Sequence, residues 1–144
     1  MDEDWFYFVS QQESLIGIDI KNSIQNVING TMDNTCPTLP TMKIFAKNVA
    51  NFTNVKDHFY LLSVSGMLTD MSTLKSRQMS KLMLGMYSGK YQQVFFSTIN
   101  LLYMEKDIKR VIVTTHWGKS IRIYIFDLDL DLIQRLTIRN TGRH

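Results

Sequence analysis

Three segments typical of β-strands follow one another late in the chain, and they constrain the fold more than any other feature. Large and β-branched residues dominate 94–104, 110–115 and 120–126. The last two segments are joined by His116-Trp117-Gly118-Lys119, where Gly118 supplies the positive φ that a tight hairpin turn needs. We therefore expect an antiparallel β-hairpin within a sheet.

Two earlier segments, 42–47 and 57–65, also have the composition of strands. In the second, Phe59 and Leu61 point to one side, and Tyr60 and Leu62 point to the other. Both faces are therefore apolar, which predicts a central position in the sheet. The polar stretch 48–56 between the two segments is typical of a turn.

An apolar stripe between residues 71 and 87 predicts a long helix. Thr69 or Asp70 is a suitable N-cap, and Gly89 follows the end of the stripe. The apolar positions recur at steps of three or four residues, the spacing of one helix face. They are Met71, Leu74, Met79, Leu82, Met83, Met86 and Tyr87.

Two other segments fit either a helix or a strand. Residues 13–29 have apolar positions at helical spacing before Gly30, but 15–20 also alternate, so 5–20 could instead form a hairpin. Residues 127–132 alternate like a strand. The longer segment 127–139, however, begins with acids and has Arg135 and Arg139 near its end, and this order of charges complements a helix dipole. We favour a helix in both segments. The apolar parity changes between Ile125 and Phe126, which indicates a break in the strand there.

These elements predict an α+β fold, with one antiparallel sheet of about five strands flanked by two or three helices. With 144 residues, of which 44% are hydrophobic, the chain can bury one core, so we expect residues 1–144 to form a single domain. Pro37 and Pro40 mark a long loop at about 31–41. The element order over 42–139, with the passage Phe59 to Leu68 before the long helix, resembles small scaffold domains of the roadblock, longin and profilin type. The resemblance implies dimerisation and scaffolding.

Composition also limits where the protein acts. An acidic N-terminus and the absence of a long apolar run predict an intracellular protein, cytoplasmic or nuclear, that does not insert into a membrane. The single Cys36 fits a reducing compartment. Alanine is confined to Ala46 and Ala50 while Ile, Asn, Lys and Met are plentiful, a viral-like composition.

No set of residues predicts catalysis or a cofactor. Asp127-x-Asp129-x-Asp131 resembles the first half of a calcium loop, but Leu132 and Ile138 stand where the glycine and the bidentate glutamate belong. Cys36, His58 and His116 match neither a zinc spacing nor a nucleophile signature. We therefore expect no metal, no cofactor and no enzymatic activity.

The charge of the chain is divided unevenly. Residues 1–70 hold eight acids and four bases, whereas residues 71–144 hold five acids and twelve bases. A basic half with interleaved aromatics suits nucleic acid. The residues that we select for this function are Lys106, Lys109, Arg110, Trp117, Lys119 and Arg122.

Our first functional hypothesis is a non-enzymatic protein-interaction or assembly module, either a homo-oligomer such as a homodimer or a subunit of a larger complex. Its contact surface is predicted at Met79, Met83 and Met86, because methionine adapts to varied partners. If that helix instead lies on the sheet, the same methionines form its core face. The alternative hypothesis is a nucleic-acid-binding accessory protein that uses the basic C-terminal half.

Overall fold

The computed structural model describes residues 5–20, 41–79, 86–87, 90–91, 97–117 and 119–139. The described residues form thirteen β-strands and contain no helical element. In the first half these are β1 (Trp5–Val9), β2 (Leu15–Asp19), β3 (Met42–Ala46), β4 (Val49–Val55), β5 (His58–Ser63), β6 (Met67–Asp70) and β7 (Ser76–Gln78). They are followed by β8 (Met86–Tyr87), β9 (Lys90–Tyr91), β10 (Ser97–Met104), β11 (Asp107–Trp117), β12 (Ser120–Phe126) and β13 (Leu132–Arg139).

The prediction of an α+β fold with one sheet and flanking helices is wrong. The strands form antiparallel sheets of three (β1-β2-β3), four (β4-β5-β6-β7) and four (β10-β11-β12-β13) strands, with β8 and β9 as a short ribbon. The resemblance to the roadblock, longin and profilin type depended on helices and is not maintained. The proline loop at 31–41 lies outside the described residues, apart from Thr41.

The chain divides into two compact units, residues 1–48 and 49–144. The prediction of a single domain is untested and stays a prediction. Among the described residues, there is no helix of the length and apolarity needed to cross a membrane.

In the first unit, strands β1 and β2 form the hairpin over 5–20 that was the alternative to a helix at 13–29. Residues 13–19 of the predicted helix therefore belong to this hairpin. Trp5 pairs with Asp19 and Val9 with Leu15, and β3 adds a third strand beside β2. On one face, the ring of Phe45 lies 5.6 Å from the ring of Trp5 and 5.3 Å from that of Tyr7, both edge to face. Gly17 lies beneath these rings, and a Cβ there would collide with Phe45. Glycine at this position lets the aromatic rings approach the backbone.

The opposite face of this first sheet is also apolar. Strand register places Phe6 beside Ile18, Phe8 beside Ile16, and the side chains of β3 beside those of β2. A groove of about 530 Å³ lies where this face meets the β1–β2 turn. The six residues of the face are Phe6, Phe8, Ile16, Ile18, Met42 and Ile44.

The second unit is built from two four-stranded sheets that share one core. Each sheet contributes alternate residues, because successive side chains of a strand point to opposite faces. Strand β10 also packs beside β4, where Asn51 Nδ2 donates to the carbonyl of Ser97 at 2.6 Å. The core consists of Tyr60, Leu62, Leu68, Met79, Ile99, Val111, Val113, Tyr124, Phe126 and Leu130.

Several predictions of strands are confirmed in this unit. Strand β5 pairs with β4 and β6, so it is central, and four consecutive residues of it are buried. The β11–β12 hairpin closes at Trp117 and Ser120, as the position of Gly118 predicts. The parity change between Ile125 and Phe126 corresponds to a register shift in the pairing of β12 with β13.

Three other predictions in this unit are wrong. The polar stretch 48–56 contains strand β4, in which Asn51 satisfies backbone groups through its own side-chain amide. The described part of 71–87 is a turn followed by β7 and, later, β8, rather than a helix. The segment 127–139 is a tight turn followed by β13.

Candidate functional site

The outer face of the β10–β13 sheet carries a patch of aliphatic side chains on β11, β12 and β13. Because Val113 and Tyr124 face the core, their neighbours along each strand face outward. Three pairs lie directly opposite one another across the strands, and their Cβ atoms are within contact range. The pairs are Ile112 with Ile125, Ile123 with Leu136, and Ile121 with Ile138. We call these six residues the isoleucine face.

The isoleucine face is accessible. None of its residues belongs to the core, and Ile138 and Leu136 keep 51% and 39% of their surface exposed. The other four are half-buried. An antiparallel sheet with one solvated face normally carries polar residues on it. Thr98, Asn100, Thr114, His116 and Gln134 follow this rule, and the six aliphatic residues form a patch beside them. An exposed aliphatic patch on such a face is typical of a surface that another molecule covers.

Sequence reasoning missed the isoleucine face. Both alternating sets of β12 are apolar, with Tyr124 and Phe126 on one side and Ile123 and Ile125 on the other. That pattern indicates a strand covered on both faces, and it is the sequence signal from which the isoleucine face could have been predicted. Leu136 and Ile138 could not be added to the face while 127–139 was interpreted as a helix.

The structure separates the basic residues that were selected for nucleic acid. Lys106, Lys109 and Arg110 lie at the β10–β11 turn, whereas Lys119 lies in the β11–β12 turn. The two turns are at opposite ends of β11, whose 11 residues span roughly 35 Å. Arg122 lies near the Lys119 end, and Trp117 is the last residue of β11. The set does not form one surface, and nucleic-acid binding by it stays a prediction.

The histidines are also far apart. His58 begins β5 and pairs with Val55 next to the β4–β5 turn. His116 is exposed near the other end of the unit, beside the β11–β12 turn. Cys36 lies outside the described residues. No group of three His, Cys, Asp or Glu side chains in the described part of the chain is arranged to hold a metal ion.

The aspartates of the calcium-like motif build a turn. Asp127 Oδ1 accepts hydrogen bonds from the backbone N–H groups of Asp129 at 2.9 Å and Asp131 at 3.0 Å. Leu130 takes a φ of 66° to close this turn. Asp129 forms an exposed ion pair with Lys75 at 3.3 Å. The carboxylate of Asp127 is therefore engaged by the backbone, as in an Asx-turn.

The predicted methionine surface is described only in part. Met79 follows β7 and is fully buried in the core of the second unit, which agrees with the core alternative at this position. Met86 begins β8, and its side chain lies outside the described structure, as does all of Met83. An interface at these two residues stays a prediction.

The titration of Tyr60 is displaced by its position in the core. Its side chain is buried and lies opposite Asp70 in the pairing of β5 with β6. Burial, with smaller contributions from the charges of Asp70 and Asp129, raises the pKa of Tyr60 from 10.0 to about 12. Both effects disfavour the phenolate.

This displacement predicts a loss of stability at alkaline pH. Above pH 10 the unfolded chain loses the Tyr60 proton while the folded chain keeps it, so the free energy of unfolding falls between pH 10 and pH 12. The full difference corresponds to about 2 to 3 kcal/mol, all of which is retained below pH 10. Urea unfolding at about pH 9 and about pH 11, on the protein and on Tyr60→Phe, measures about half of this loss. Equal pH dependence in the two proteins would contradict the assignment to Tyr60.

Comparisons of the chain with protein-family models, with curated proteins and with solved structures find no match.

Proposed function

We propose that this protein is a non-enzymatic assembly module that forms a homodimer through the isoleucine face. The observation that carries this proposal is the row of three aliphatic cross-strand pairs on the accessible side of the β10–β13 sheet. Two such faces can stack at the roughly 10 Å spacing of packed sheets. A two-fold arrangement uses the same patch on both copies, so a self-complementary aliphatic surface is enough.

The size of the face sets the expected strength of the dimer. The isoleucine face is the aliphatic part of the outer face of the sheet, whose four strands at about 4.8 Å spacing and about eight residues at 3.4 Å give an area of roughly 500 Å² on each copy. The total of about 1,000 Å² lies at the lower limit of specific interfaces. We therefore expect a dimer that dissociates in the micromolar range and whose mass does not depend strongly on salt, because its contacts are apolar.

A charge placed on the face is expected to abolish the dimer. At about 100 µM protein, light scattering coupled to size exclusion should give twice the chain mass of 16.8 kDa for the unaltered protein. Ile138→Lys should give the single-chain mass, because an ammonium group in an apolar interface loses its hydration without gaining a partner. Residue 138 is half-exposed, so the folded chain accommodates lysine there.

The matched control is Leu74→Lys. Leu74 is an aliphatic residue in the β6–β7 turn and is 73% exposed. Leu74→Lys therefore makes the same aliphatic-to-lysine change as Ile138→Lys, but outside the isoleucine face. This variant should keep the dimer mass at both about 50 mM and about 500 mM salt. The proposal is wrong if the unaltered protein is monomeric under all these conditions, or if the two variants lose the dimer to the same extent.

A further inference from the structure

Strand β13 is an open edge of the second unit. Among the described strands, it is the outermost of the β10–β13 sheet, and its residues 133–139 are all exposed. The other edge of the same sheet is occupied, because β10 packs beside β4, where the Asn51 side chain donates to the Ser97 carbonyl. Alternate residues of an edge strand direct their backbone N–H and C=O groups away from the sheet. Strand β13 therefore offers a row of hydrogen-bonding groups to a further strand.

The shape of this edge permits a further strand to pair along it. Residues Gln134 to Arg139 pair in unbroken order with β12, from Ile125 to Ser120, and the register shift is confined to the start of β13. Protein sheets commonly block their open edges with very short strands, prolines or bulges. Strand β13 has 8 residues and contains no proline. Its regular part, 134–139, is therefore long and straight enough to serve as a template for pairing.

The two sides of β13 differ in chemistry. Leu136 and Ile138 belong to the isoleucine face, whereas Arg135 and Arg139 point to the other side of the sheet. All four side chains are exposed at the edge. Residues directly opposite each other in a strand pair stabilise it when both are aliphatic or when their charges are opposite. The edge therefore favours an added strand whose side chains alternate between aliphatic and acidic.

We propose that β13 binds an extended, acidic segment of a partner protein by β-strand addition. In this mode of recognition, backbone hydrogen bonds supply the affinity and alternate side chains supply the selectivity. A second copy of β13 is a poorer partner, because it would bring further arginines to the same side of the sheet. The proposal goes beyond the homodimer and does not depend on it, since a strand is added in the plane of the sheet and the homodimer covers one face.

Fluorescence anisotropy with two labelled peptides of about nine residues tests the proposal on the full chain. One peptide alternates glutamate with valine, and the other has lysine in place of glutamate. At about 50 mM salt, the glutamate peptide should bind about tenfold more tightly than the lysine peptide, because its acids lie opposite arginines. Arg135→Glu combined with Arg139→Glu should reverse this preference. The matched control, Lys106→Glu combined with Lys109→Glu, makes the same change of charge at the β10–β11 turn and should keep the preference.

Two further glutamate peptides test whether the backbone pairs with β13. They carry N-methyl groups either on the valines or on the glutamates, so each lacks the N–H donors of one edge. One of them should bind about tenfold more weakly than the other, since only one edge of an added strand faces β13.

Three results would overturn the proposal: no detectable binding of the glutamate peptide by the unaltered protein, equal binding of the two N-methylated peptides, or an unchanged preference in the Arg135 and Arg139 variant. Equally tight binding of oligothymidine, lost in the same variant, would also overturn it, because the edge would then recognise any polyanion. Thermal unfolding of both double variants checks that the fold is retained. Light scattering on the same samples reports the homodimer separately, so the failure of one proposal is distinguishable from the failure of the other.

Discussion

Replacing Tyr124 by alanine is expected to lower the free energy of unfolding of the second unit by about 3 to 5 kcal/mol. Tyr124 is fully buried at the centre of β12, between β11 and β13, and it belongs to the core shared by the two sheets. Removing the ring leaves a cavity between the two sheets, and the packed core relaxes only partly to fill it. A loss of this size is a large part of the stability of a domain of this length.

Denaturant unfolding of Tyr124→Ala, followed by circular dichroism, measures this loss. Tyr124→Phe keeps the ring and removes the hydroxyl, so its smaller change separates the contribution of the hydroxyl from that of the packing. Ile138→Ala, on the exposed side of the same sheet, should change stability by much less. Similar losses for Tyr124→Ala and Ile138→Ala would contradict the placement of the core on the Tyr124 side.

Local signals were sufficient to predict the β11–β12 hairpin and strands β3 and β5. At the hairpin, Gly118 and the flanking β-favouring residues specify the same structure, so turn chemistry and pattern agree. In β5, apolar residues on both sides reveal a central strand without knowledge of its partners. At 15–19, the strand alternative succeeded because β1 supplies a partner, which the single segment does not reveal.

The helix predicted at 71–87 failed because the chemistry that starts a helix also starts a turn. Asp70 Oδ1 accepts a hydrogen bond from the backbone N–H of Ser72 at 2.9 Å, and Leu74 N–H donates to the carbonyl of Asp70 at 2.7 Å. These are bonds of a first helical turn. Leu74 then adopts a φ of 62° and β7 begins, pairing with β6. Strand pairing between distant residues overrides local helix propensity, and the apolar spacing in this segment does not report it.

The same ambiguity concealed most of the candidate sites. Asp127 caps a turn rather than a helix, and Leu130 reverses the chain with a φ of 66°. In a helix, Arg135 and Arg139 would lie one turn apart with no relation to Arg122. In β13 they flank the partner of Arg122, and Leu136 and Ile138 complete the isoleucine face. The isoleucine face therefore depends on the register of one strand, which single-sequence periodicity does not supply.

Replacing Met79 by lysine is expected to unfold the second unit or to destabilise it by about 3 to 5 kcal/mol, because it buries an unpaired charge. Met79 has no exposed surface and packs with residues of both four-stranded sheets. Its backbone N–H also donates to the carbonyl of Gly66 at 2.7 Å, which fixes the chain where β7 ends. Thermal unfolding by circular dichroism, combined with light scattering for the oligomeric state, measures the effect.

Met79→Leu is the matched control, since a change that conserves volume in a core costs less than about 1.5 kcal/mol. This pair of variants separates the two interpretations of the methionine at position 79. If Met79 contributed to an interface, Met79→Lys would stay folded and would lose only self-association, while Met79→Leu would behave like the unaltered protein. A folded, monomeric Met79→Lys with unchanged thermal stability would therefore contradict the buried position. Unfolding by Met79→Lys together with a stable Met79→Leu would remove residue 79 from the predicted methionine surface.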